Sequence, residues 1–178
     1  QNEDYSISLS QDGFTRDVKP VSIPAKARDE DLATAEQIRA ARRLAGSLQW
    51  LAITTRIDLA ACASLAQQTF PQPTIRQLRE LNNALRRARQ FDGQKLTVLA
   101  IPFSEVAFVL HTDASLMNAR GRRTQAGFIV AATTKGLNRN EEAPWSPLSW
   151  RSGHLRRLVA STLGAETQSL CRGLKELE

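Results

Sequence analysis

The sequence predicts an α+β fold: a helical stretch, then antiparallel strands, then one closing helix. Three observations carry that prediction. Apolar residues recur at helical spacing across residues 36–92, the period changes to two between Leu96 and Ala131, and helical spacing returns at Leu163, Leu170, Leu174 and Leu177. The segments are bounded at 1–35 (an N-terminal strand and an extended connector), 36–92 (helical) and 93–178 (strand-rich with one helix).

In the first segment Tyr5, Ile7 and Leu9 alternate with Ser6 and Ser8, as in a short strand. Asp12-Gly13 reads as a turn, and Pro20 and Pro24 make 14–28 an extended connector. The helical segment opens at a cap, Asp31 or Thr34, with Ile38, Leu44, Leu48 and Leu51 on one stripe. Thr55-Arg56-Ile57-Asp58 interrupts it. A short helix through Leu59, Cys62, Leu65 and Ala66 ends at Phe70-Pro71-Gln72-Pro73. Thr74-Ile75-Arg76-Gln77 is a capping-box pattern. It starts a third helix with Ile75, Leu78, Leu81 and Leu85 inward and Arg76, Arg79, Arg86, Arg87 and Arg89 on the other face.

The last segment reads as a strand at 95–100, a second at 106–111, a basic turn over 114–124 and a third strand at 126–131. A polar loop from Lys135 to Pro144 leads to Leu148-Ser149-Trp150-Arg151, and Ser161-Thr162 caps the last helix. A three-stranded sheet with one helix leaves an edge strand unpaired, and another protein chain is expected to cover it. Trp50, Trp145 and Trp150 read as core or interface anchors.

The charge pattern points to an anionic partner. The 178 residues carry 24 Lys+Arg against 18 Asp+Glu, a net charge of +6, and 19 of the 24 cations are arginine. Arginine forks grip phosphate at two points, so this bias suits nucleic acid as well as an ordinary basic surface. The excess lies after residue 35, since residues 1–35 hold 7 acidic and 4 basic groups. The arginine face of the third helix, Arg120, Arg122 and Arg123 in the turn, and Arg156-Arg157 are the candidate phosphate contacts; a solvated charged face is the alternative for the helix. Two cysteines, Cys62 and Cys171, exclude a disulfide framework and stand in no zinc-finger spacing. No run of ~18 apolar residues could span a membrane. No apolar signal region is visible, and the chain lacks an initiator Met, so a processed chain or a piece of a longer one is expected. The cysteines and the basic balance suit an intracellular site.

Two carboxylates stand where chemistry could occur. Asp113 follows the apolar strand in Leu110-His111-Thr112-Asp113, and Glu166 falls early in the last helix. Facing one sheet edge, such a pair can hold a divalent ion, and two magnesium ions ~4 Å apart would cleave a phosphodiester. A turn aspartate and a dipole-complementing glutamate explain the same residues without metal. His111 is placed on the other face of the strand from Asp113, as a packed or surface histidine.

Five runs taken in order resemble one known family. They are Leu44-Ala45-Gly46-Ser47-Leu48-Gln49-Trp50-Leu51 with Thr55-Arg56-Ile57-Asp58-Leu59, then Thr112-Asp113-Ala114-Ser115, then Thr124-Gln125-Ala126-Gly127-Phe128, then Leu148-Ser149-Trp150-Arg151-Ser152, and last Ala160-Ser161-Thr162-Leu163-Gly164-Ala165-Glu166. Residues 42–178 thereby resemble the polyprotein of copia-type retrotransposons across the join of reverse transcriptase and ribonuclease H. The resemblance implies that 36–92 is the thumb or connection that touches the template–primer duplex. It implies that 93–178 begins a ribonuclease H fold with Asp113 and Glu166 as two of its magnesium-binding carboxylates. Ile57 stands where the family has Pro, and Leu163 where Glu is frequent. No Tyr-x-Asp-Asp occurs, and the family's remaining carboxylates lie on elements outside this sequence. Two expectations follow: a non-catalytic module that binds RNA or RNA–DNA hybrid within a ribonucleoprotein, or a fragment of a hybrid-cleaving ribonuclease H.

Overall fold

The computed structural model describes residues 4–119, 121 and 123–177. It is a mixed α+β structure with two compact units: Ser10–Gln94, and the described residues before Ser10 together with those after Gln94. The segment 1–35 is thus shared between the two units.

The helical unit contains α1 (Asp12–Asp17), α2 (Ala35–Thr54), a 3₁₀ turn (Ile57–Leu59), α3 (Ala60–Gln67) and α4 (Ile75–Gln90). Thr34 and Thr74 each accept from the backbone N–H three residues on, and Gln37 and Gln77 return the bond to the cap N–H, so both long helices start on capping boxes. Leu44, Leu48 and Leu51 from α2 meet Ile75, Leu78, Leu81 and Leu85 from α4 in one buried cluster. Each fully buried leucine there contributes roughly 2 kcal/mol relative to exposure. The Asp12-Gly13 turn is instead the start of α1, a single short helix with Asp12 in its first turn and Arg16 in its last, complementing the helix dipole.

The connector after α1 is tied along α4. Asn82 accepts from the Val21 N–H and donates to the Val21 carbonyl, both at 2.8 Å. Arg89 donates to the carbonyls of Arg16 and Val18, and Arg79 to the Ala27 carbonyl and the Asp29 carboxylate. The connector therefore runs antiparallel to α4, and Val18 and Val21 enter the core beneath it. Arg56, 4% exposed, closes the base of the unit: it forks onto Asp58 at 2.8–2.9 Å and donates to the Ala88 carbonyl near the end of α4.

The other unit holds two antiparallel sheets. β1 (Ile7–Leu9) pairs with β2 (Leu96–Val98). β3 (Val106–Ala119), β4 (Arg123–Thr134) and β5 (Ser146–His154) form the second sheet in the order β3-β4-β5. The three-stranded sheet thus takes 146–154 as its third strand, while the strand at 96–98 joins β1. The expected turn over 114–124 is largely strand as well, because β3 carries its pairing to Ser115↔Gln125 before the register shifts. Pro147, which has no N–H to donate, sits on the edge strand β5 where the register against β4 also shifts.

α5 (Thr162–Leu174), capped by Ser161, lies on this sheet. Ala165, Ser169 and Gly173 face inward. Ala165 packs with Ala114 and Ala126, and a Cβ at Gly173 would stand 2.6 Å from a Leu110 methyl, so glycine permits the close approach. Ser169 Oγ lies 3.1 and 3.0 Å from the carbonyls of Asp113 and Gly127 and donates there. The leucines at helical spacing lie outside: Leu163 is 78% exposed, and Leu170, Leu174 and Leu177 are exposed too. Trp50 and Trp145 are likewise at the surface and not in a core.

Candidate nucleic-acid interface

The arginine face of α4 is mostly occupied by structural work. Arg79 and Arg89 hold the connector, and Arg76 stands 3.9 Å from Glu80 one turn on. Arg86 and Arg87 are exposed, and their side chains form no hydrogen bond or ion pair among the described residues. Arg123 is exposed at the start of β4. Arg120 and Arg122 lie outside the described residues.

Cations converge in a different place. Arg151 on β5, Arg156 and Arg157 in the following loop, Arg172 on α5 and Lys175 at the C-cap of α5 line a groove of about 580 Å³ between β5 and α5. Local folding aims them there. Arg151 lies opposite Phe128 in the β4–β5 register, on the sheet face that carries α5. Arg172 and the C-cap residue Lys175, which keeps helical backbone angles, are three residues apart and so share one side of the helix end. Gly153 leaves space near Arg172: a Cβ there would reach no closer than 3.9 Å to its terminal nitrogens.

The groove is electrostatically unbalanced. Among the described residues Glu176 is its one acidic lining group, and that carboxylate also accepts from Ser149 Oγ at 3.3 Å. The side chains of the five cations form no hydrogen bond or close ion pair among the described residues. Burial holds the half-buried Arg172 below the ordinary arginine range, and the nearby charges of Arg151 and Arg156 add to that, against the pull of Glu176. Arginine remains cationic under such pressure, so the repulsion persists until an anion relieves it. Sequence reasoning found Arg156 and Arg157 because they are adjacent. It missed Arg151, Arg172 and Lys175, whose convergence depends on how α5 packs on β3 and β4 beside β5.

Asp113 and Glu166 come to the same strand edge. Among the described residues β3 pairs on one side only, and Glu166 Oε1 accepts the Ala114 N–H at 3.3 Å, one peptide from Asp113. Ala114 points beneath α5, so alternation puts the exposed Asp113 on the far face. His111, two residues before, shares that face with Asp113, which corrects the opposite-face placement. Its ring stands 6.3 Å from that of Trp145. No set of three His, Cys, Asp or Glu side chains suited to a metal ion is assembled among the described residues. The carboxylate pair is therefore only part of what a two-magnesium centre requires.

Among the described residues no helix is long and apolar enough to cross a membrane. Compared with protein-family models, curated proteins and solved structures, the chain matches none.

Proposed function

We propose that this chain is a non-catalytic, retroelement-derived module that binds RNA or RNA–DNA hybrid and works as a subunit of an intracellular ribonucleoprotein assembly. The observation that carries the reading is the groove, where, among the described residues, five cations meet one carboxylate. Arginine forks match phosphate oxygens, and contacts of that kind recognise backbone and shape with little sequence preference. The unpaired edge of β3 and the exposed leucines of α5 suit a protein neighbour in the same assembly. Affinity for a labelled RNA, followed by fluorescence anisotropy, should fall steeply with salt, with a log–log slope of roughly 0.7 per neutralised phosphate on a single strand. A flat salt response contradicts the reading.

The second reading, a ribonuclease H fragment that cuts the RNA strand of a hybrid, is favoured by one contact: the bond from Ala114 that brings Glu166 to the peptide next to Asp113, whose side chain lies on the other face of the sheet. It would take magnesium and further carboxylates from another segment or chain. It predicts magnesium-dependent cleavage of a hybrid that disappears in Asp113→Asn. Cleavage that survives this substitution rules it out.

A further inference from the structure

Taking the RNA-binding reading as given, we infer that the β5–α5 groove seats the terminal phosphomonoester of a single-stranded polynucleotide, with Arg172 as its anchor at the junction of strand and helix.

The shape of the charge distribution favours a chain end. Four of the five cations are exposed and Arg172 is half-buried, and all five line one open recess of about 580 Å³ bounded by β5, α5 and the loop between them. A duplex presents its phosphates on a broad convex surface and cannot push one of them into such a recess. An internal phosphodiester of a single strand is flanked by a sugar on each side and carries one charge. A terminal phosphomonoester projects from the chain, carries a charge of about −1.5 to −2 at neutral pH and offers three acceptor oxygens. Three guanidinium groups, on Arg151, Arg156 and Arg172, suit that number of oxygens, and each fork can engage two at once. Arg157 and Lys175 then remain for the next phosphates of the strand.

The position of Arg172 supports this assignment. It is half-buried, near a glycine, with cations and no paired carboxylate around it. A guanidinium held for structure would be expected to meet a carbonyl or a carboxylate, as Arg56 and Arg79 do in the helical unit. Arg172 meets neither among the described residues, so its preorganised charge is available to a ligand. The 5′ and 3′ ends of a strand share the same phosphomonoester chemistry, and the test separates them.

The probes are three labelled 12-nucleotide RNAs of one sequence, with a 5′-phosphate, with a 3′-phosphate, or with hydroxyl groups at both ends. Binding is measured by anisotropy with the full chain, and each variant's thermal melt is compared with the wild type. One phosphorylated RNA should bind about tenfold more tightly than the hydroxyl-ended one. In Arg172→Gln that advantage should fall below twofold while weak, salt-sensitive binding persists. Arg151→Gln, on the opposite wall, should reduce the advantage in the same way and serves as the readout if Arg172→Gln melts early. Equal affinity of the wild type for all three RNAs, with a steep salt dependence, overturns the terminal site and leaves the RNA-binding reading standing. An advantage that survives both substitutions also overturns it. Absence of binding to any of the three overturns both.

Discussion

Arg56 shows how much one long-range contact can carry. Its guanidinium is buried, forks onto Asp58 and reaches the Ala88 carbonyl. The Asp58 bond raises its pKa, burial opposes that, and the charges of Asp58, Asp12 and Asp92 add to the rise. Removing the fork leaves that carbonyl without this donor and a carboxylate without its partner. Arg56→Ala should therefore cost about 3 kcal/mol in chemical denaturation. Arg56→Lys, which keeps the charge and loses the planar fork, should recover only part of that loss. A variant within 0.5 kcal/mol of wild type would show that the contact is not structural. The sequence marks this residue only as part of Thr55-Arg56-Ile57-Asp58. The Asp58 partner is legible at that range, but the carbonyl 32 residues away is not.

At the level of elements, what is local is legible. Both capping boxes, Thr34 with Gln37 and Thr74 with Gln77, can be read directly because cap and partner are three residues apart. The inward stripe of α4 follows from period alone. Its outer face does not, because the connector that occupies it lies 50 to 73 residues earlier in the chain. Charge count alone makes Arg79 and Arg89 look like phosphate ligands. Asn82 offers the sharpest test of the strap. Asn82→Ala removes both bonds to the Val21 backbone and should cost about 2 kcal/mol. Arg86→Ala, one turn on and facing solvent, should stay within about 0.5 kcal/mol of wild type. Equal effects for the two would mean that the connector is not held by these bonds. α5 teaches the converse lesson. Its leucines mark an apolar stripe, yet the small residues Ala165, Ser169 and Gly173 let the helix approach the sheet, and the leucines remain outside. Period identifies a helix and its faces; side-chain size decides which face can come close.

For the whole molecule, the α+β class and the order of the segments follow from the change of period along the sequence. The pairing of β1 with β2 and the convergence of Arg151, Arg172 and Lys175 follow from tertiary packing, which no local pattern encodes. A net charge of +6 says that an anionic partner is welcome, but not where. The fold gathers five cations in the β5–α5 groove and uses part of the α4 charge internally. Arg151→Glu combined with Lys175→Glu should therefore weaken RNA binding at least tenfold and flatten the salt slope, since phosphate contacts are lost and repulsion is added. Arg86→Glu combined with Arg87→Glu makes the same change in net charge on the α4 face and is the matched control. The most direct measurement is anisotropy of one labelled RNA against these two double variants and the wild type across a salt series. The account predicts a large loss with the groove pair and a small one with the α4 pair. Equal losses, or a greater loss with the α4 pair, would contradict it.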